Sequence, residues 1–199
     1  KSDFYIHLMS LPKIFNTNLE NIPNSIPYLK ADSALANKFK EELNTNDFKI
    51  GIAWAGNPKQ ENDRNRSTTF EKFRVLKEIP GIKLFSLQKG DASKQLDDSS
   101  IISISEKAND FADTAGIIEN LDLVISVDTS VAHLAGAMGK PTWVLLSKTA
   151  DWRWLLDRKD SPWYPTMRLF RQERLGEWDY VFNEVKNELR ALLKSKFIF

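Results

Sequence analysis

Two hydrophobic rhythms alternate along this chain. Short runs in which almost every position is apolar and β-branched are separated by segments whose apolar residues recur every three or four positions. The first rhythm predicts strands covered on both faces, and the second predicts amphipathic helices. The sharpest contrast is in DLVISVDTSVAHLAGAMGKPTWVLLS, residues 122–147. Leu123, Val124, Ile125 and Val127 form a buried strand, and Asp128, Thr129 and Ser130 are capping residue types where a helix must start. Ala132, Ala135, Gly136 and Ala137 keep that helix thin enough to lie close to a sheet, and Gly139 followed by Pro141 ends it. The same reading predicts further strands at 48–55, 83–87, 101–104, 121–127, 142–146 and 167–171, and helices at 70–79, 93–96, 110–120, 130–138 and 179–194. Asp32 is expected to cap a helix carrying Leu35, Phe39 and Leu43, while residues 1–31, with Pro12, Pro23 and Pro27, read as an irregular strap.

Strands and helices alternating through short connections predict an α/β fold, a Rossmann-like parallel sheet with helices on both faces. Ligands of such sheets bind at the carboxyl ends of the strands. Three loops leave those ends, 56–69, 88–93 and 128–130, and are expected to share one crevice. A strand passing straight into a helix N-terminus offers free backbone N–H groups and the positive end of a dipole, which suits a phosphate. Neither the G-x-G-x-x-G pattern of dinucleotide enzymes nor the P-loop pattern occurs, which disfavours both classes.

Composition narrows the classes further. The 199 residues are 42% hydrophobic and 28% charged, a globular balance. The formal charge of +1 points to no nucleic-acid or membrane surface as main partner. With no cysteine, disulfides and thiolate metal sites are excluded. No apolar run approaches the roughly 20 residues of a membrane span. The opening KSDFYIHLMS lacks the apolar core of a signal peptide, and a cytoplasmic location is expected. The start at Lys1, within ordered-looking sequence, reads as part of a longer protein.

The run DTSVAHLAGAMGKPTWVLL resembles the nucleotide-sugar-binding half of heptosyltransferase-like glycosyltransferases, family nine, which have the two-domain GT-B architecture. The blocks GIAWAGNPKQENDRNRS, FSLQKG and DWRWLLDRKDSPWYPTMRLFRQ extend the likeness, most closely to bacterial proteins that join tetratricopeptide repeats to such a domain. SLPKIFNT and IPYLKAD resemble the end of the family's acceptor-side domain and its crossover. The resemblance implies a division into residues 1–46, crossover strap and linker helix from a further N-terminal domain, and 47–199, a nucleotide-sugar-binding domain. It implies a nucleotide-diphospho-sugar as substrate, no cofactor and no metal. The implied partners are an acceptor glycan or protein, the N-terminal domain and repeats, with self-association through the exposed strap. The implied activity is metal-independent glycosyl transfer by the longer protein, this part being inactive alone and the catalytic residue unassigned. A non-catalytic sugar or nucleotide sensor, a scaffold module, and a sugar-nucleotide epimerase are alternatives on the same fold.

A departing diphosphate needs donors aimed at it. The N–H groups of Ser130, Val131 and Ala132 with the Thr129 hydroxyl can supply them, or Thr129 and Ser130 merely cap a helix. His133 is either a packed residue or, as the resemblance implies, a donor-site group. A carboxylate repels a diphosphate, so Asp128 is given a structural or sugar-hydroxyl role. Among Lys59, Arg64 and Arg66, the last matches the position where heptosyltransferases place a lysine near the phosphates. Asn57 contacts ligand or closes its turn, and Gln88 and Lys89 contact base or ribose or simply end a strand. Asp110 reads as a cap, with Thr114 facing either the helix or ligand. Trp152, Trp154, Trp163 and Tyr164 are core, lid or sugar-stacking groups; Arg153 and Arg158 bind acid groups or pair with Asp151 or Asp157; His7 is given no function.

Overall fold

The computed structural model describes residues 3–196. Six strands, β1 (Phe48–Ala53), β2 (Ile82–Ser86), β3 (Ile102–Ser103), β4 (Leu123–Val127), β5 (Thr142–Leu146) and β6 (Met167–Arg171), form one sheet in the order β3-β2-β1-β4-β5-β6. Every pairing is parallel. The helices are α1 (Leu11–Ile14), α2 (Ser33–Glu42), α3 (Asp63–Arg66), α4 (Phe70–Phe73), α5 (Phe111–Glu119), α6 (Ser130–Ala137) and α7 (Trp178–Lys196). This strand order reverses direction between β1 and β4, and at such a switch point the connections diverge and leave a crevice above the strand ends.

Alternating side chains on each strand build two cores. Ile50, Ile52, Leu123, Ile125, Val127 and Leu145 face α4 and α7, packing on Phe70, Phe73, Val181, Phe182 and Leu189. Phe85, Leu87 and Val124 face the opposite side, against Phe39 of α2, Ala115 and Ile118 of α5, and Ala135 of α6. Helices therefore cover both faces, as the apolar runs required. Beyond α6 the second side continues into a smaller cluster of Ala132, Val144, Leu146, Trp154 and Leu169.

Local chemistry sets the element ends. Asp32 accepts hydrogen bonds from the N–H groups of Ala34 and Leu35, capping α2 as its sequence predicts. Asp110 does the same for α5 through Ala112 and Asp113. At the end of α6, Gly139 (φ 72°) donates to the Gly136 carbonyl and Lys140 to that of Ala135, a Schellman closure that needs the left-handed backbone glycine tolerates.

Several predicted bounds shift for identifiable reasons. The expected strand 48–55 ends at Ala53, because the next two N–H groups are taken by a side chain described below. The helix expected at 70–79 is α-helical only through Phe73 and continues as a 3-10 helix over Arg74–Glu78; Pro80 holds Ile79 extended. The edge strand at 101–104 shortens to Ile102–Ser103 before a 3-10 turn. Phe111, the first residue of α5, is 60% exposed.

The strap meets the sheet domain where the N–H groups of Tyr28 and Leu29 both donate to the Ala137 carbonyl, 3.0 and 3.2 Å away. Phe4, Leu8, Met9 and Phe15 stay exposed. Among the described residues no helix is long and apolar enough to cross a membrane.

The approach of α2 to α5 depends on one small residue. A Cβ on Gly116 would lie 2.9 Å from the Leu35 carbonyl carbon, and backbone cannot swing aside as a side-chain tip can. Asn120 Nδ2 donates to the Ala36 carbonyl at 2.8 Å across the same seam, and Lys38 pairs with Asp113 at 3.1 Å. Gly116→Val is expected to lower stability by about 1–3 kcal/mol through overpacking, read as a lower midpoint in urea unfolding.

Candidate functional site

The crevice between the ends of β1 and β4 holds two adjoining cavities of about 820 and 840 Å³. The first lies over β4 and β5 and is walled by Asp128, His133, Ser147, Trp152, Trp154 and Tyr164, with Pro23 and Tyr28 from the strap. The second lies over β1 and β2 and is walled by Gly56, Asn57, Gln88, Lys89, Phe111 and Thr114. Arg66, Thr129 and Ser130 belong to both walls and form the saddle between them.

Arg66 reaches the saddle because α3 turns back over its own strand. Its Nε donates to Asp63 Oδ1 at 3.1 Å, and its Nη1 donates to the Asp128 backbone carbonyl at 3.0 Å. The guanidinium thus bridges the β1 loop to the end of β4. Its Nη2 makes no hydrogen bond among the described residues and lies against Gly56, where a Cβ would come within 2.3 Å. Glycine there makes room for the cation.

Thr129 occupies the N-cap position of α6, but its hydroxyl does not cap the helix; it pairs with Ser126 Oγ at 2.9 Å. Ser130 and Val131, whose first-turn N–H groups lack intrahelical acceptors, line the second cavity. Ala132, grouped with them by sequence, is wholly buried under α6 and lines neither cavity.

His133, one turn in, is held on three sides. Its ring stacks on Trp154 with centroids 5.2 Å apart and planes 22° from parallel. Nδ1 lies 3.2 Å from the Tyr164 hydroxyl, and Nε2 lies 3.6 Å from Asp128 Oδ1. Burial raises the pKa of Asp128, but His133, the Trp154 indole and the charge of Arg66 outweigh it and hold the carboxyl below its ordinary range. Burial, with the Tyr28 hydroxyl beside it, pushes the Tyr164 phenol well above its usual value, so it stays a hydroxyl. Tyr164 and Trp154 are partners of the histidine that the sequence placed only among general aromatic roles.

Gln88, read as a contact to base or ribose or as a polar strand end, lines the second cavity with its polar atoms turned to backbone. Its Oε1 accepts from the N–H groups of Trp54 and Ala55 at 2.9 and 2.8 Å, and its Nε2 donates to the carbonyls of Ala55 and Lys89 at 3.0 and 2.9 Å. All of its hydrogen-bonding capacity goes into fixing the end of β1, and it is 4% exposed. Lys89 Nζ donates to the Ala108 carbonyl at the far wall. Asn57 accepts from Lys59 N–H at 3.0 Å, closing its turn at the rim. Lys59 and Arg64 are exposed and line neither cavity. Thr114 lines the second cavity while its hydroxyl donates to the Asp110 carbonyl. Arg153 pairs with Asp151, and Arg158 with Asp160 rather than Asp157. Among the described residues no three His, Asp or Glu side chains gather as a metal site would need.

With this geometry in view, comparison with known proteins gives a consistent result. Residues 108–176 match the glycosyltransferase family 9 (heptosyltransferase) model. The matched span holds β4, α6 and the Asp128–His133 corner, and stops short of the loop that carries Arg66. Over 187 residues the chain is 26% identical to Protein FlbA of Caulobacter vibrioides, covering 88% of this chain and 31% of FlbA. Its fold is that of E. coli ADP-heptose LPS heptosyltransferase II, with TM-score 0.65 at 13% identity over 86% of this chain and 55% of that one. The chain thus spans about a third of the first relative's length and about half of the second's.

Two outcomes follow from the hydrogen bonding. Gln88→Leu leaves two N–H groups and two carbonyls short of partners and is expected to cost about 2–3 kcal/mol in urea unfolding. Asp128 titrates lower in the fold than when unfolded, so its contribution is complete at neutral pH. That contribution disappears as pH falls from about 4, the unfolded value, through the lower folded one. The stability difference between wild type and Asp128→Asn should therefore be constant above about pH 5 and shrink steadily below about pH 4.

Proposed function

We propose that this chain binds the nucleotide-diphospho-sugar donor of a glycosyltransferase, with the diphosphate on the saddle. The observation that carries this reading is the meeting of two cavities at Arg66, Thr129 and Ser130, at the start of α6. A diphosphate joins a nucleoside to a sugar, and the saddle joins two cavities across an uncapped helix N-terminus and a cation. The nucleoside takes the cavity over β1 and β2, whose wall carries Phe111, Lys89 and Thr114. The sugar takes the cavity over β4 and β5, where the Asp128 carboxylate accepts hydrogen bonds from its hydroxyls.

When the bond from anomeric carbon to phosphate breaks, its electron pair goes to the diphosphate. Nη2 of Arg66, the N–H groups of Ser130 and Val131, and His133 are arranged to meet that charge without a metal. Asp128 is turned to His133 rather than to the anion, which avoids setting a carboxylate against phosphate. Activation of the acceptor hydroxyl belongs to the longer protein, in a second domain facing this crevice, and this chain alone binds donor without transfer.

Calorimetry of the chain with ADP, UDP, GDP and CDP tests the reading. At least one should bind, and Arg66→Ala should weaken it about 10–100-fold, as expected for charge-assisted hydrogen bonds to phosphate. Arg66→Lys should fall between, keeping charge but losing the fork that also holds the Asp128 carbonyl. Absence of binding to all four, or an Arg66→Ala variant of unchanged affinity, would remove the diphosphate from the saddle.

A further inference from the structure

Four of the six tryptophans are buried: Trp54, Trp143, Trp154 and Trp178. Trp152 is 59% exposed, yet it lies in a cavity wall and is firmly held. The Arg153 guanidinium sits 5.2 Å from its ring centroid, and Trp163 meets it edge to face with centroids 6.2 Å apart at 84°. Trp163 is itself pinned by its indole N–H, which donates to the Arg153 carbonyl at 2.9 Å. Asp151 accepts from Arg153 N–H at 3.0 Å and pairs with its guanidinium at 2.6 Å. Arg171 Nη2 donates to the carbonyls of Trp154 and Leu155, both at 3.1 Å, and secures the end of the same turn.

We propose that Trp152, backed by Trp163, is a stacking platform for the pyranose ring of the donor sugar. This rests on the reading of the site given above. An aromatic face carries negative charge density, and the C–H bonds on one face of a pyranose carry the complementary positive density. The hydroxyls project from the ring edge, and Asp151, Arg153, Gln60 and Asn62 ring the same cavity to meet them. The turn Trp152–Trp154 fixes the spacing. Trp154 lies under the His133 imidazole at the phosphate end, while Trp152 faces the cavity two residues earlier. One rigid turn therefore sets the distance between the diphosphate grip and the ring platform, as a covalently joined phosphate and sugar demand. A cyclic sugar is favoured over an open-chain or glycerol-like group, which offers no flat face.

The test compares free nucleoside diphosphates with their hexose conjugates, ADP with ADP-glucose, UDP with UDP-glucose and GDP with GDP-mannose, on wild type, W152A and W152F. The platform predicts that W152A weakens a conjugate about fivefold to tenfold while the free diphosphate stays within about twofold, and that W152F restores most of the loss. Saturation-transfer NMR should place protons of one sugar face against the protein in wild type and lose them in W152A. Conjugate affinity unmoved in W152A, with the free diphosphate still bound, overturns the platform alone. An equal fall for both forms also overturns it, since the ring would then serve the nucleotide or the fold. No binding of any diphosphate to wild type removes the donor site, and the platform with it.

Discussion

Two neighbouring parallel strands, β1 and β4, send their chains to opposite faces of the sheet, and the backbone groups left at their ends must still be satisfied. Everything functional here grows from how that is done. On the β1 side Gln88 spends both donors and its acceptor oxygen on the backbone of Trp54, Ala55 and Lys89. Across the gap, Arg66 gives Nη1 to the Asp128 carbonyl at the end of β4. These two side chains hold the crevice open with defined walls. Arg66 also leaves Nη2 unengaged beside Gly56, so one residue closes the backbone and supplies the cation of the saddle.

A second consequence concerns His133. His133 lies in the first turn of α6, beside the start of the helix. Asp128 and Tyr164 on its two nitrogens, with Trp154 beneath, fix the ring's orientation. The Asp128 carboxylate is thus used to orient the imidazole. Tyr164 keeps its proton under burial and can serve the histidine as donor or acceptor.

The strand and helix order was legible because it rests on pattern. Runs such as LVISV and WVLL have one sensible environment, and the Gly139-Lys140-Pro141 stop has one sensible geometry. The corner at Asp128–His133 was legible for the same reason, since capping residues between a buried strand and a thin helix mark a switch point. Gln88 was not, because its four bonds depend on the register of β1 against β2, and no local pattern records a register. Ala132 could not be told from Ser130 and Val131 without knowing which side of the first helical turn faces the sheet. Trp152 and Trp154, two residues apart with identical chemistry, differ only in which side of a 3-10 turn each occupies.

The strap adds a constraint that the sheet alone does not. Pro23 and Tyr28 form part of the wall of the β4–β5 cavity, and the strap is tied to α6 by two N–H groups sharing the Ala137 carbonyl. The Tyr28 hydroxyl lies against Tyr164, whose own hydroxyl meets His133. Tyr164 therefore neighbours both the strap and the imidazole. Pulling this strap away would take Pro23 and Tyr28 out of the wall of the β4–β5 cavity. The strap thus completes one wall of the cavity that His133 and Tyr164 also line.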